Sequence, residues 1–167
     1  MEPASGGGPL AALVTASAAE LLANIARAST DGWPEARGVA AQAESLHDRV
    51  TPLAALTAQA YEQALEAGGG DYEVGRAYAG AAEPPLRIAE AAADVAQLAA
   101  LVAEHANPAR RVDAVTAGLI AAGCARAAAE LVAVNLTVSA NDERVRRANL
   151  LAEEAAHAAE TARAARE

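Results

Sequence analysis

The chain has 167 residues, a net charge of −9 and 53% apolar residues, with alanine dominant, a single tryptophan and no phenylalanine. That length fits one domain over residues 1–167, able to bury a core without metal or disulfide staples. The acidic balance and the lack of a basic stripe with interleaved aromatics argue against a nucleic-acid surface. Cys124 is the only cysteine, which rules out an intramolecular disulfide and fits a reducing, cytoplasmic setting.

Alanine is the best helix former because it loses no side-chain entropy on folding. A core of Ala, Leu and Val buries little area per residue, so it depends on close helix approach or on a second subunit. The expected class is therefore all-α: a bundle of five to seven helices around one long central helix. The first twenty residues lack a basic segment leading into an apolar signal core. Charged and amide residues recur often enough that no membrane span is expected.

Residues 1–8 read as a flexible entry, and Pro9 suits the first turn of a helix. Leu10, Leu13, Val14, Leu21 and Ile25 recur at helical spacing and predict helix 1, running to about Ser29, with this stripe as its buried side. Ser17 and Asn24 share a face, and Glu20 neighbours Asn24. Thr30-Asp31-Gly32 is a turn. A long helical stretch over Glu35 to Ala67 is expected to break or kink near Pro52, with Leu46, Val50, Leu53, Leu56 and Tyr61 inward. Gly68-Gly69-Gly70 is a clean break.

Helix 3 is expected from about Asp71, and Pro84-Pro85 forces an interruption before a helix over Leu86 to Glu104. The Asn107-Pro108 turn then opens the central helix, which ends near Asn135. Asn141 and Asp142 form a stop and cap pair. The last helix, about Glu143 to Arg166, is strongly charged, and its thin apolar face predicts peripheral packing.

Three groups could carry chemistry on residue type alone. Asp113 sits early in the central helix behind Arg110 and Arg111, with Thr116 on the same face. It could move a proton or hold a cationic nitrogen, although the helix dipole favours an aspartate there in any case. His105 is of the residue type suited to acid–base work, but it sits at a helix end, where capping is common. His47 and His157 read as surface residues. No histidine pair has ligand spacing and Cys124 has no companion, so no metal site is assigned. Gly6-Gly7-Gly8 lacks the strand and the lysine of a phosphate loop; its amides could still hold a carboxylate or a polar ring.

Taken in order, Ser5–Gly8, Ala23-Asn24, the Ala81–Leu86 segment with its two prolines, Asn107, Val112-Asp113-Ala114 and Val134-Asn135-Leu136 resemble the cyclodeaminase/cyclohydrolase family over residues 4–160. That family includes the C-terminal domain of formiminotransferase-cyclodeaminase and the methenyltetrahydrofolate cyclohydrolases. The resemblance implies a helical homodimer with a tetrahydrofolate derivative as substrate, bound between helices at or near the dimer interface, and no metal. It implies either ring closure of 5-formiminotetrahydrofolate with loss of ammonia or hydrolysis of the methenyl bridge. It assigns Asp113 the catalytic role and places Gly6, Gly7, Gly8, Asn24 and Asn135 in the pocket framework. Arg110 and Thr116 are added as substrate contacts by their closeness to Asp113.

The chain departs from the family pattern at Pro9, at Ala28–Gly32 where a Gly-Lys-rich segment is usual, at Thr57 and Gln59 where acids are usual, and at Leu131 where an asparagine is usual. The alternative function is thus a divergent or inactive helical homodimer that binds another small molecule or a protein partner. A generic helical interaction module is a third reading. One constraint comes from length: Asp113 and Asn135 lie roughly 33 Å apart along a helix rising about 1.5 Å per residue. They cannot flank one small reacting centre within a single chain.

Overall fold

The computed structural model describes residues 6–136 and 141–165. Among these there are seven α-helices and no strand: α1 Gly7–Arg27, α2 Ala36–Val50, α3 Leu53–Glu66, α4 Asp71–Ala81, α5 Glu83–His105, α6 Arg111–Asn135 and α7 Glu143–Ala164. Ser5 of the glycine opening lies outside the described residues.

The breaks follow local backbone chemistry. Pro52 separates α2 from α3 after Thr51. Gly69 has φ 116°, a conformation glycine adopts without steric cost, and Glu73 Oε2 accepts from the Gly70 amide at 3.1 Å to close the first turn of α4. The α4–α5 break falls just before Pro84-Pro85, because prolines fit a first turn whose amides have no helical partner. Asn107 Oδ1 accepts from the Ala109 amide at 3.0 Å and starts a 3₁₀ turn, Pro108–Arg110, that leads into α6. Asp142 Oδ1 accepts from the Arg144 amide at 2.8 Å and caps α7.

Helix α5 is the core of the bundle, packed by α6, α7, α1 and α2. Its buried residues are mostly alanines, with Ile88, Val95, Leu98 and Val102 between them. Small side chains let helix axes approach closely, so contact length compensates for small buried area per residue. Gly118 makes the same use of space, since a Cβ there would lie 3.1 Å from that of Ala99.

Several expectations are corrected. Leu56 of α3, expected inward, is exposed. The apolar stripe of α1 is only in part its buried face: Ile25 is buried and Val14 and Leu21 pack against the core, but Leu10 and Leu13 are exposed, and Ala12, Ala16, Ala19, Leu22, Ala23 and Ala26 face inward. The last helix is not peripheral. It packs along α5 and α6 through Ala148, Leu151, Ala152, Ala155, Ala158, Ala159 and Ala162. In both cases alanines form the contact face, and an apolar count weighted to large residues overlooks them. By length and hydropathy α1 and residues Pro108–Asn135 also reach what a membrane span needs, contrary to expectation. In this fold one side of each is occupied by helix packing.

Candidate functional site

Helices α1 and α6 run antiparallel. Gly7 and Gly8 lie against Leu131 near the end of α6, and Thr15 meets Cys124 further back. Continuing this register puts Asn24 level with the start of α6. The sequence-predicted residues therefore divide into two groups at opposite ends of the helix pair.

The first group is Gly6, Gly7, Gly8 and Asn135. Gly6 is exposed at the cap of α1, while Gly7 and Gly8 are already helical, so the ordered helix starts two residues before Pro9. Gly8 is buried, with Thr57 of α3 so close that no Cβ would fit. Gly8 thus lets α1 cross α3. Asn135 Nδ2 donates to the Ala81 carbonyl at 3.2 Å, joining the end of α6 to the end of α4. Its Oδ1 makes no hydrogen bond among the described residues.

Asn135 lies between two openings. A crevice of about 30 Å³ is lined by Thr57, Tyr61, Ala81, Pro85, Leu131, Val134 and Asn135. That is room for a water or two at most. Thr57 is buried and its hydroxyl donates to the Leu53 carbonyl at 2.7 Å, so only its methyl reaches Gly8. Beside the crevice, a cleft of about 730 Å³ runs between α4 and the end of α6, with Tyr72, Arg76, Tyr78, Val134, Asn135 and Arg144 on its walls. This volume falls in the range of small-molecule sites, and aromatic, apolar and cationic groups converge on it.

Arg144 holds the cleft together. Its Nε and Nη2 donate to Asp142 at 3.0 and 2.8 Å, and its Nη1 donates to the Ala79 carbonyl at 2.8 Å. The Arg144 side-chain hydrogen bonds, with its amide and charge, hold the Asp142 carboxyl down to about 2, and Asp142 in turn raises Arg144.

The second group is Asn24, Arg110, Asp113 and Thr116. All four are exposed. Asn24 Oδ1 accepts from Arg27 at 2.8 Å, and the Thr116 hydroxyl donates back to the Val112 carbonyl at 2.9 Å. Asp113 makes no hydrogen bond or ion pair among the described residues. His105 stacks on the buried Trp33 with ring centroids 5.4 Å apart and so serves packing at this end. His47 is half-buried rather than surface, its Nδ1 3.1 Å from the Ala16 carbonyl. No group of three or more metal-ligating side chains occurs among the described residues.

Sequence reasoning missed Tyr72, Arg76, Tyr78 and Arg144. One signal was present: the chain's three tyrosines all fall between 61 and 78, on either side of the Gly68–Gly70 break.

A family model described as formiminotransferase-cyclodeaminase matches residues 1–157. Among solved structures, the formiminotetrahydrofolate cyclodeaminase of Thermotoga maritima is similar in fold, with a TM-score of 0.90 at 18% identity, over 98% of this chain and 88% of that one. No curated protein sequence matches the chain at a significant level.

Proposed function

The chain belongs to the formiminotransferase-cyclodeaminase family, and from that premise we propose that it works as a homodimeric, folate-linked cyclodeaminase. In this reading each site is shared between two copies. The observation that carries it is the division of the family-matched residues between the opposite ends of α1 and α6.

A face for the second copy is available. Val112, Leu119, Ile120 and Val134 lie on one side of α6 and are all exposed, as are Leu10 and Leu13 on the adjoining α1. Apolar side chains gathered on one face mark an interaction surface. Gly123 stands midway between Val112 and Val134 on that face, and a Cβ there would meet nothing. A two-fold axis near Gly123 would pair antiparallel copies of α6 through one self-complementary patch. Asp113 and Thr116 of one copy would then lie beside Val134 and Asn135 of the other. This removes the 33 Å separation that bars a site within one chain.

The reaction needs a proton moved around a cationic carbon. N10 of 5-formiminotetrahydrofolate attacks the protonated formimino carbon and forms the new C–N bond. The N10 proton passes through the Asp113 carboxylate to the formimino nitrogen. That nitrogen leaves as ammonia when its bond to carbon breaks, and the positive charge remains on the methenyl bridge. A carboxylate facing this carbon both stabilises the charge and carries the proton. Asn135 Oδ1 and Tyr78 of the α4 cleft orient the ring system. The test is to mix the purified protein with 5-formiminotetrahydrofolate and follow the methenyl absorbance, with light scattering for mass. No acceleration over buffer together with no folate binding by calorimetry sinks the proposal, as does a monomer at assay concentration.

One observation favours a second reading, a homodimer that binds a small molecule without turning it over. Leu131 and the Thr57 methyl close the crevice beside Asn135 down to about 30 Å³. Tight folate binding with no methenyl product would select it.

A further inference from the structure

Arg76 lies midway along α4 and faces both the cleft that holds Asn135 and the neighbouring groove lined by Ala60, Gln63 and Tyr72. Two cations reach the cleft, and they differ in what they have left to offer. The side-chain donors of Arg144 are engaged by Asp142 and the Ala79 carbonyl. Arg76 makes no hydrogen bond or ion pair among the described residues. Glu73, three residues before it, also lines the neighbouring groove, but its carboxylate accepts from the Gly70 amide and makes no ion pair with Arg76. The one acid on the cleft wall is Asp71, at the first residue of α4.

The placement along α4 is ordered. Ala81, whose carbonyl meets Asn135, is five residues past Arg76, or about 7.5 Å of helix rise. Tyr78 lies between them on the cleft, and Tyr72 lies one turn beyond Arg76. Only Ala81 of α4 is fully buried, so this helix contributes little to the core and its side chains are free to meet a ligand. A ligand extended along α4 from Asn135 would meet an amide, then a phenol, then a guanidinium.

Resting on the folate reading above, we propose that Arg76 is a specificity-determining residue that takes the glutamyl carboxylate of the substrate, while its ring system sits by Asn135. A guanidinium fork binds a carboxylate through two parallel hydrogen bonds, and among the described residues Arg76 has no partner to be displaced first. Arg76 does not touch the reacting carbon, so its effect falls on recognition of the tail.

The experiment compares two ligands on the full chain by calorimetry: tetrahydrofolate, and tetrahydropteroate, which has the same ring system and no glutamate. The wild-type protein is expected to prefer tetrahydrofolate roughly 10- to 100-fold, the range for hydrogen bonds to a charged group. Arg76→Ala should bring the ratio close to one by weakening tetrahydrofolate alone. Arg76→Lys should keep part of it, and Arg37→Ala, at an exposed position of α2, all of it. Because the readout is a ratio on one protein, partial loss of folded material cancels. Equal binding by the wild type, or a preference that survives Arg76→Ala, overturns the proposal and leaves the folate reading standing. Binding of neither ligand overturns both.

Discussion

Gly8 of α1 and Thr57 of α3 touch so closely that a β-carbon on the glycine would overlap the threonine Cγ2. The contact sets how near α1 can come to α3, and it sits directly beside Leu131 and the crevice at Asn135. Of the glycine run, Gly8 is thus a packing device at the edge of the site, while a Cβ at Gly6 or Gly7 would meet no close contact.

Gly8→Ala is expected to destabilise the fold by about 1–3 kcal/mol, the usual cost of overpacking. Alanine gains helix propensity over glycine by about 1 kcal/mol, which offsets only part of it. Thr57→Ser removes the offending methyl and keeps the hydroxyl that donates to Leu53. The double variant should recover most of the loss, and urea denaturation of the four proteins gives the coupling directly. Simple additivity of the two changes would show that Thr57 is not what Gly8 must avoid.

The Asp142–Arg144 pair carries a pH signature. Asp142 is held at about 2 in the folded chain against an ordinary 3.8. A depressed carboxyl stabilises the fold fully above its unfolded value and loses that contribution as pH falls from 3.8 towards 2. Urea midpoints measured across this window should fall more steeply for the wild type than for Asp142→Asn. Parallel curves would mean that the pair forms in neither state or in both.

Cys124 is 8% exposed on the α1-facing side of α6. Burial raises its thiol above the ordinary value, and the hydrogen bond with Thr15 offsets part of that. Less thiolate and poor access both slow attack on a disulfide reagent. In native buffer Cys124 should react far more slowly than in denaturant, with a rate that follows opening of the fold. Fast stoichiometric labelling of the native protein would contradict the packing of α1 on α6.

The helix breaks were legible because their causes are local. Pro52, Gly68–Gly70, Pro84-Pro85 and the Asp142 cap each act on their own backbone. Helix faces were less legible. Alanine tolerates either side, so the spacing of Leu10 and Leu13 pointed inward while the core took Ala12, Ala16 and Ala19. The separation of Asp113 from Asn135 followed from helix rise alone. What no local pattern carried was the meeting of Gly8, Thr57, Leu131 and Asn135, which depends on α1 running antiparallel to α6 with α3 crossing beside them. The same holds for Arg76 and Arg144, which become neighbours of Asn135 only once α4 lies against the end of α6.

The proposed shared site predicts one outcome that a site within one chain cannot produce. Asp113→Asn should abolish turnover by removing the carboxylate from the partner's cleft. Asn135→Ala should impair it by removing the ring-orienting amide and the bond to the Ala81 carbonyl. Each homodimer then has two defective sites. When the two variants are mixed and allowed to exchange subunits, half of the dimers are hybrid. One hybrid site carries both substitutions and the other carries neither. Activity should therefore return to about a quarter of wild type from two nearly inactive samples, as two-fold symmetry requires. Exchange is followed by mass on a tagged subunit, so absent recovery cannot be blamed on absent mixing. If tagged hybrids form and activity stays at the sum of the parents, Asp113 and Asn135 do not serve the same site across the interface.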